Sequence, residues 1–195
     1  VPGVGFDTKQ FLNPKVCRIT SRKESGLNED NVMILSVGEL NTNKNHEVII
    51  RAISNIKRDD IHYFIAGEGK LKEYLYKLSE ELGIKNKVHL LGFRKDINEL
   101  YKISDIFCFP SKREGLSVSL MESMVSGLPI VCSDIRGNSD LVKKNMNGFL
   151  CNYNSVDDFK KAIESLINDS DLCYKFTTNN QKDISKFSIE NVIKK

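Results

Sequence analysis

Two glutamates, a lysine and several glycines stand where side chains or bare backbone could hold a phosphorylated, hydroxyl-rich ligand. Glu114 and Glu122 are eight residues apart, the first in a loop leaving a strand, the second more than a turn into the next helix. Carboxylates so placed suit two parts of one extended ligand, because each can accept two hydrogen bonds from sugar or ribose hydroxyls. The spacing is not that of two carboxylates facing each other for hydrolysis. Gly115 lets the chain approach a ligand closely, and the amides near Gly115–Ser117 begin a helix, where phosphate is favoured. Lys112 and Arg113 either add positive charge there or stand as solvated lip residues. A helix-capping Glu114 with a surface Glu122 is the competing reading of the same segment.

Three other strand exits carry comparable residues. In Gly38-Glu39-Leu40-Asn41-Thr42-Asn43-Lys44-Asn45-His46, the backbone at Gly38, the Lys44 ammonium and the following helix amides could meet a diphosphate, with His46 close by. The plain alternative is a solvated lysine near a helix start. Gly67-Glu68-Gly69-Lys70 lacks the third glycine of the dinucleotide fingerprint and does not follow the first strand, so a turn explains it equally well. Gly92-Phe93-Arg94-Lys95-Asp96 is the remaining exit. Further on, Asn138 reads as a helix cap, with substrate contact as the lesser reading.

The elements that must position these residues alternate. Apolar runs at Val32–Gly38, Ile61–Gly67, Val88–Phe93, Ile106–Pro110, Ile130–Ser133 and Gly148–Cys151 are too continuous for half-exposed strands. Between them lie helical patterns: Val48, Ile49, Ala52, Ile53 and Ile56; Leu71, Leu75, Leu78 and Leu82; a short helix around Ile97–Tyr101; and Ser117 to Ser126. A helical turn near Asp140, a helix from Val156 to Ile167 and a helical tail from Asp171 complete the chain, with Ser188 as a candidate cap. This pattern predicts an α/β fold with a Rossmann-like parallel sheet and helices on both faces, whose ligand rim is at the carboxyl ends of the strands.

Composition narrows the function. The 195 residues suit one domain, and 29 Lys and Arg against 26 Asp and Glu, interleaved to a formal +3, show no nucleic-acid-binding arm. The five cysteines (17, 108, 132, 151 and 173) are odd in number and unpaired in sequence, and read as reduced, buried small hydrophobes of a cytosolic protein. No metal site is expected from them or from His46, His62 and His89. No run is long enough to cross a bilayer, and the opening VPGVGFDTKQF, with neither an initiating methionine nor a signal pattern, reads as a start within a longer protein.

The segment PSKREGLSVSLMESMVSGLPIVCSD, Pro110 to Asp134, resembles the Glu-x7-Glu segment of the large retaining glycosyltransferase family known as group 1 or family 4. That family includes sucrose synthase, glycogen-synthase relatives and bacterial capsule and lipopolysaccharide transferases. The likeness takes in Gly127 and Pro129. VPGVGFDTKQF is similar to the family's interdomain linker exit, and the VGELNTNKNH and SDIRGN runs are similar to the exopolysaccharide and capsule members.

The resemblance implies one half of a two-domain GT-B enzyme: linker over 1–15, a nucleotide-sugar-binding domain over 16–185, and a truncated C-terminal helix over 186–195. It implies catalytic roles for Glu114, at the donor sugar, and Lys44, on the diphosphate. Glu122 would hold the ribose, the amides of Gly115 and Leu116 the diphosphate or sugar, and the backbone at Phe93 and Arg94 the base, with Gly38 and Arg113 also in the donor site. The donor would be a UDP-sugar or GDP-sugar, with no cofactor and no metal. The glycan or lipid-linked acceptor would be bound mainly by the missing N-terminal half, at the inner face of the cell membrane. Most of the family has an arginine where this chain has Glu39. Either Glu39 turns away and Arg94, Arg113 or the other half substitutes, or phosphate is held differently. A sugar-nucleotide epimerase-like domain and a non-catalytic nucleotide-binding module are the alternatives; the former lacks the Glu-x7-Glu segment.

Overall fold

The strands are apolar on both sides because both sides are covered. The structure, a computed structural model, describes Phe11 and residues 16–184. The rest of the expected linker, the expected C-terminal helix and the candidate cap Ser188 lie outside the described residues. In chain order the elements are α1 (Arg18–Glu24), β1 (Val32–Val37), α2 (His46–Ser54), β2 (Ile61–Ala66), α3 (Lys72–Glu81), β3 (Val88–Gly92), α4 (Ile97–Ile103), β4 (Ile106–Phe109), α5 (Val118–Val125), β5 (Ile130–Ser133), α6 (Arg136–Ser139), β6 (Gly148–Cys151), α7 (Val156–Asn168) and α8 (Ser170–Ile184), with a 3-10 turn at Lys85–Lys87. The sheet is parallel throughout, in the order β3-β2-β1-β4-β5-β6.

Alternate strand residues feed two cores. Ile34, Tyr63, Ile65, Ile106, Cys108 and Val131 pack under α2, α3 and α7. Met33, Leu35, Phe64, Phe107, Phe109, Ile130 and Cys132 pack under α4 and α5. A strand buried on both faces gains nothing from polar alternation, hence the continuous apolar runs. The helices follow local rules. In α7, Ser155 accepts from the Asp158 amide at 3.1 Å, two aspartates occupy the first turn, and Phe159, Ala162, Ile163 and Leu166 form the buried stripe. Helix α5 begins on the cap Ser117 and ends at Gly127, whose φ of 78° lets the Leu128 amide return to the Ser123 carbonyl. Thr177 and Asn180 of α8 then bind the carbonyls of Gly127 and Leu128.

Helix α1 has no apolar stripe and was not anticipated. Its one buried residue, Arg22, donates to Asp105 Oδ2 at 3.0 Å and to the Ile103 carbonyl at 2.7 Å, while Asp105 also accepts from the Met33 amide at 2.7 Å. Burying that guanidinium is tolerable only because it is paired and hydrogen-bonded. Phe11, in the expected linker, is buried with its ring 6.0 Å from Tyr101. Cys108, Cys132 and Cys151 are buried as expected, whereas Cys17 is exposed: it precedes α1 on the surface rather than sitting in an apolar run. Among the described residues no helix is long and apolar enough to cross a membrane.

The β2 exit packs directly under the β1 exit. A Cβ on Gly67 would fall 1.9 Å from the Gly38 carbonyl oxygen, and one on Gly69 would fall 2.4 Å from that of Leu40. The glycine pair is therefore a packing device beneath the first loop. Gly67→Ala is expected to lower unfolding free energy by about 1–3 kcal/mol, and Gly115→Ala, with nothing within 4 Å of the new carbon, by less than about 0.5 kcal/mol. Urea melts of both variants check this; equal losses would contradict it.

Candidate functional site

Sheet order decides where a ligand can enter. Strand β1 pairs with β2 on one side and β4 on the other. The helix after β1 packs on one face of the sheet and the helix after β4 on the opposite face. The two exit loops diverge there, opening the crevice that α/β sheets use for ligands.

Into this crevice the two loops bring Lys44 and Glu114. Lys44 Nζ donates to Glu114 Oε1 at 2.7 Å, with the two side chains only 20% and 15% exposed, and lies 4.9 Å from the Phe109 ring centroid. Neither the solvated lysine nor the helix-capping glutamate is what forms. Gly38 makes the slot, since a Cβ there would stand 3.1 Å from both Cδ and Cε of Lys44. Asn41 Oδ1 accepts from the Lys44 amide at 2.9 Å. Asn43 then ties the loops together: its side chain donates to the Arg113 carbonyl at 3.0 Å and its carbonyl accepts from the Lys112 amide at 2.8 Å. Asn45, left-handed at φ 55°, donates to the carbonyls of Pro110 and Tyr153. From the far side Gly137 meets the loop so closely that a Cβ would lie 2.6 Å from the Glu114 carbonyl oxygen and 2.1 Å from that of Gly115.

Below the Lys44 loop runs a buried polar chain. The Cys108 carbonyl can only accept, so Ser36 Oγ donates to it at 2.5 Å, and Tyr63 Oη donates to Ser36 at 2.8 Å. His46 Nδ1, 3.1 Å from Tyr63 Oη, must therefore carry the proton. Its Nε2 is left buried without a hydrogen-bond partner among the described residues. Burial lowers the His46 pKa to about 4; the carbonyls of Glu39 and Gly38 oppose this without completing a bond to Nε2, and the Lys44 charge reinforces it. The ring at the start of α2 is a neutral strut.

Glu122 projects from α5 beside α4. Tyr101 Oη donates to its Oε2 at 3.2 Å, and burial raises its pKa against that hydrogen bond. It is half-buried, not the surface glutamate of the competing reading. The Gly115 and Leu116 amides find no acceptor among the described residues, and Leu116 packs on the α4–α5 core. Arg113 is exposed, and its side chain has no ion-pair partner among the described residues. Arg94 is spent on Asp96 within its own loop, and neighbouring Phe93 is 70% exposed. Glu39 is exposed and makes no ion pair among the described residues.

Other expectations land differently. Asn138 is no cap: α6 begins on Ile135, and Asn138 lies inside it, buried, donating to the Ser133 carbonyl at 3.0 Å. His62 and His89 meet across β2 and β3 at 3.1 Å, near the amino ends of the strands and away from the crevice. A 390 Å³ cleft between α1, β3 and α4 is lined by His89, Leu91, Arg94 and Glu99 but by none of Lys44, Glu114 and Glu122. Among the described residues no three His, Cys, Asp or Glu side chains are grouped to hold a metal ion. Sequence reasoning missed Asn43, Asn45 and Gly137, whose signals were an asparagine-rich exit and the SDIRGN run.

The family profile described as Glycosyl transferases group 1 matches residues 18–183. The putative glycosyltransferase EpsD of Bacillus subtilis is 31% identical over 192 residues, covering 96% of this chain and 50% of that protein. An Escherichia coli UDP-Gal:alpha-D-GlcNAc-diphosphoundecaprenol alpha-1,3-galactosyltransferase is 32% identical over 170 residues, 85% of this chain and 44% of that one. The chain thus spans about half the length of these relatives. The crystal structure of Anabaena HepE in complex with UDP superposes with a TM-score of 0.91 at 23% identity, covering 97% of this chain and 54% of that chain. The GT-B half-fold expected from the sequence is the one found.

The buried imidazole makes stability depend on pH. An unfolded histidine titrates near pH 6.5, so between about 6.5 and 4 the unfolded chain holds a proton that folded His46 refuses. Stability is full above that window and falls on acidification through it, by up to about 1.4 kcal/mol per pH unit. His46→Asn is expected to be less stable at neutral pH and to lose stability less steeply on acidification. Urea melts across the window check this, and identical slopes would exclude His46 as the group responsible.

Proposed function

The chain belongs to the glycosyl transferases group 1 family, and on that premise we propose that it is the donor-binding half of a retaining glycosyltransferase of surface-polysaccharide synthesis. The observation that carries this reading is the convergence of Lys44, Glu114 and the start of α5 on the crevice between β1 and β4. Sugar transfer from a nucleoside diphosphate requires stabilisation of the departing diphosphate and of positive charge developing on the sugar. Lys44 and the amides of Gly115 and Leu116 serve the diphosphate. Arg113, like Lys112 a cation of the clasped loops with no ion pair among the described residues, takes the place of the arginine that Glu39 replaces, since Arg94 is committed to Asp96. Glu114 meets the hydroxyls of the donor sugar. Glu122, its second oxygen held by Tyr101, accepts from the ribose, and the base lies by the backbone of Phe93 and Arg94.

Residues 1–15 lead in from an N-terminal half that binds the acceptor, a glycan or lipid-linked sugar at the inner face of the membrane. The E. coli relative, by its name, uses UDP-Gal and a diphosphoundecaprenol-linked acceptor, and HepE has been crystallised with UDP-glucose. Both support a UDP-sugar donor here.

Calorimetric titration with UDP, GDP and UDP-sugars tests the site. One nucleotide is expected to bind, and Glu122→Ala and Lys44→Ala are each expected to weaken it about tenfold or more, the scale of a hydrogen bond to a charged group. A folded chain that binds no nucleotide at millimolar concentration would refute the reading. Incubated with donor and a lipid-linked acceptor, this chain alone is expected to transfer no sugar; measurable transfer would show that it needs no second half.

A further inference from the structure

A diphosphate that engages Lys44 must share its charge with Glu114, which occupies one of the three ammonium donors. The ammonium is 2.7 Å from that carboxylate, and neither partner can drift away easily. The lysine stem fills the slot that Gly38 leaves, the two loops are cross-linked through Asn43 and Asn45, and Gly137 abuts the Glu114 backbone. The carboxylate and an incoming phosphate therefore compete for one cation in a crevice shielded from water, where like charges repel more strongly than in bulk solvent.

The outcome of that competition depends on what else the ligand brings. Among the described residues no side chain besides Lys44 donates to Glu114. A carboxylate that loses its only donor while remaining largely buried carries a desolvation penalty until new donors arrive. The sugar of an intact nucleotide-sugar supplies hydroxyls. A free nucleoside diphosphate has only its ribose hydroxyls, which the donor-site reading gives to Glu122, and its terminal phosphate is more negative than the esterified one.

Resting on the donor-site reading above, we infer that Glu114 is a specificity-determining residue that makes the site prefer intact nucleotide-sugar over the nucleoside diphosphate it yields. With donor bound, sugar hydroxyls replace Lys44 as partners of Glu114, and Lys44 turns to the diphosphate. Once the sugar has left, Glu114 recaptures Lys44, and the product loses its cation. The Lys44–Glu114 ion pair is thus also a product-release device.

Glu114→Gln keeps the size of the side chain and one acceptor oxygen, replaces the other oxygen with an NH2 donor, and removes the charge. Titrations of the full chain with UDP, UDP-glucose, UDP-galactose, GDP and GDP-mannose are compared with the wild type, alongside stopped-flow dissociation of the bound diphosphate. The variant is expected to bind free diphosphate about three- to tenfold more tightly, with slower dissociation, and to lose most of its preference for the sugar-bearing form. A merely structural role would weaken both ligands together. Glu114→Ala is expected to shift diphosphate affinity in the same direction, so the inference stays testable if the glutamine variant misfolds. Unchanged or weaker diphosphate binding by a folded charge-removed variant overturns the inference. Wild-type chain that binds none of these ligands overturns instead the donor-site reading beneath it.

Discussion

The carboxyl edge of this protein is governed by one constraint: β1 has β2 on one side and β4 on the other, and the chain leaves β1 and β4 toward opposite faces of the sheet. Two loops that diverge cannot fill the space between them with their own backbone. Residues 70 apart in the chain, Lys44 and Glu114, meet there because that gap is where two charged side chains can face each other without being fully buried. The rest of the site is arranged around them.

What keeps the gap in shape is mostly the removal of atoms. Gly38 makes room for the lysine stem, Gly67 lets the second exit pass beneath the first, and Gly137 allows α6 to press on the Glu114 loop. At each of these a methyl group would meet backbone or an ordered stem at 3.1 Å or less. Hydrogen bonds from Asn43 and Asn45 do the complementary work of joining the loops. Below them, the His46–Tyr63–Ser36 chain ties the start of α2 to β1, β2 and β4, with proton positions dictated by the one carbonyl at its end. Such a chain rigidifies when every member is satisfied, and only His46 Nε2 is not.

Local charge matters here more than the modest net charge. Arg94 neutralises Asp96, Arg18 and Arg22 converge on Asp105, and Lys44 neutralises Glu114. Of the cations weighed at the two exits, Lys112 and Arg113 keep unshared charges among the described residues, while Glu39 stays at the surface. Any anion that entered the crevice would meet a cation already paired, so its affinity would be the difference between two pairings.

Periodicity and punctuation reported burial and turns faithfully, because both are local. Each of the six strands, the glycine at each of the first three exits and the helix from about Ser117 to Ser126 could be read from residues within a few positions of each other. The Pro110–Asp134 segment identified the family on the same local basis. What the sequence could not show were pairings that depend on strand order, because the same β/α alternation is compatible with other orders. Helix α1 exists because Arg22 finds Asp105, 83 residues away, and no apolar stripe announced it. Asn138 became a buried tie instead of a cap once β5 and α6 closed on each other. Sequence alone determined which charged side chains and glycines stand at the strand exits. The tertiary structure decided which of them are already engaged, since an ion pair forms wherever folding brings opposite charges within reach, whatever their separation along the chain.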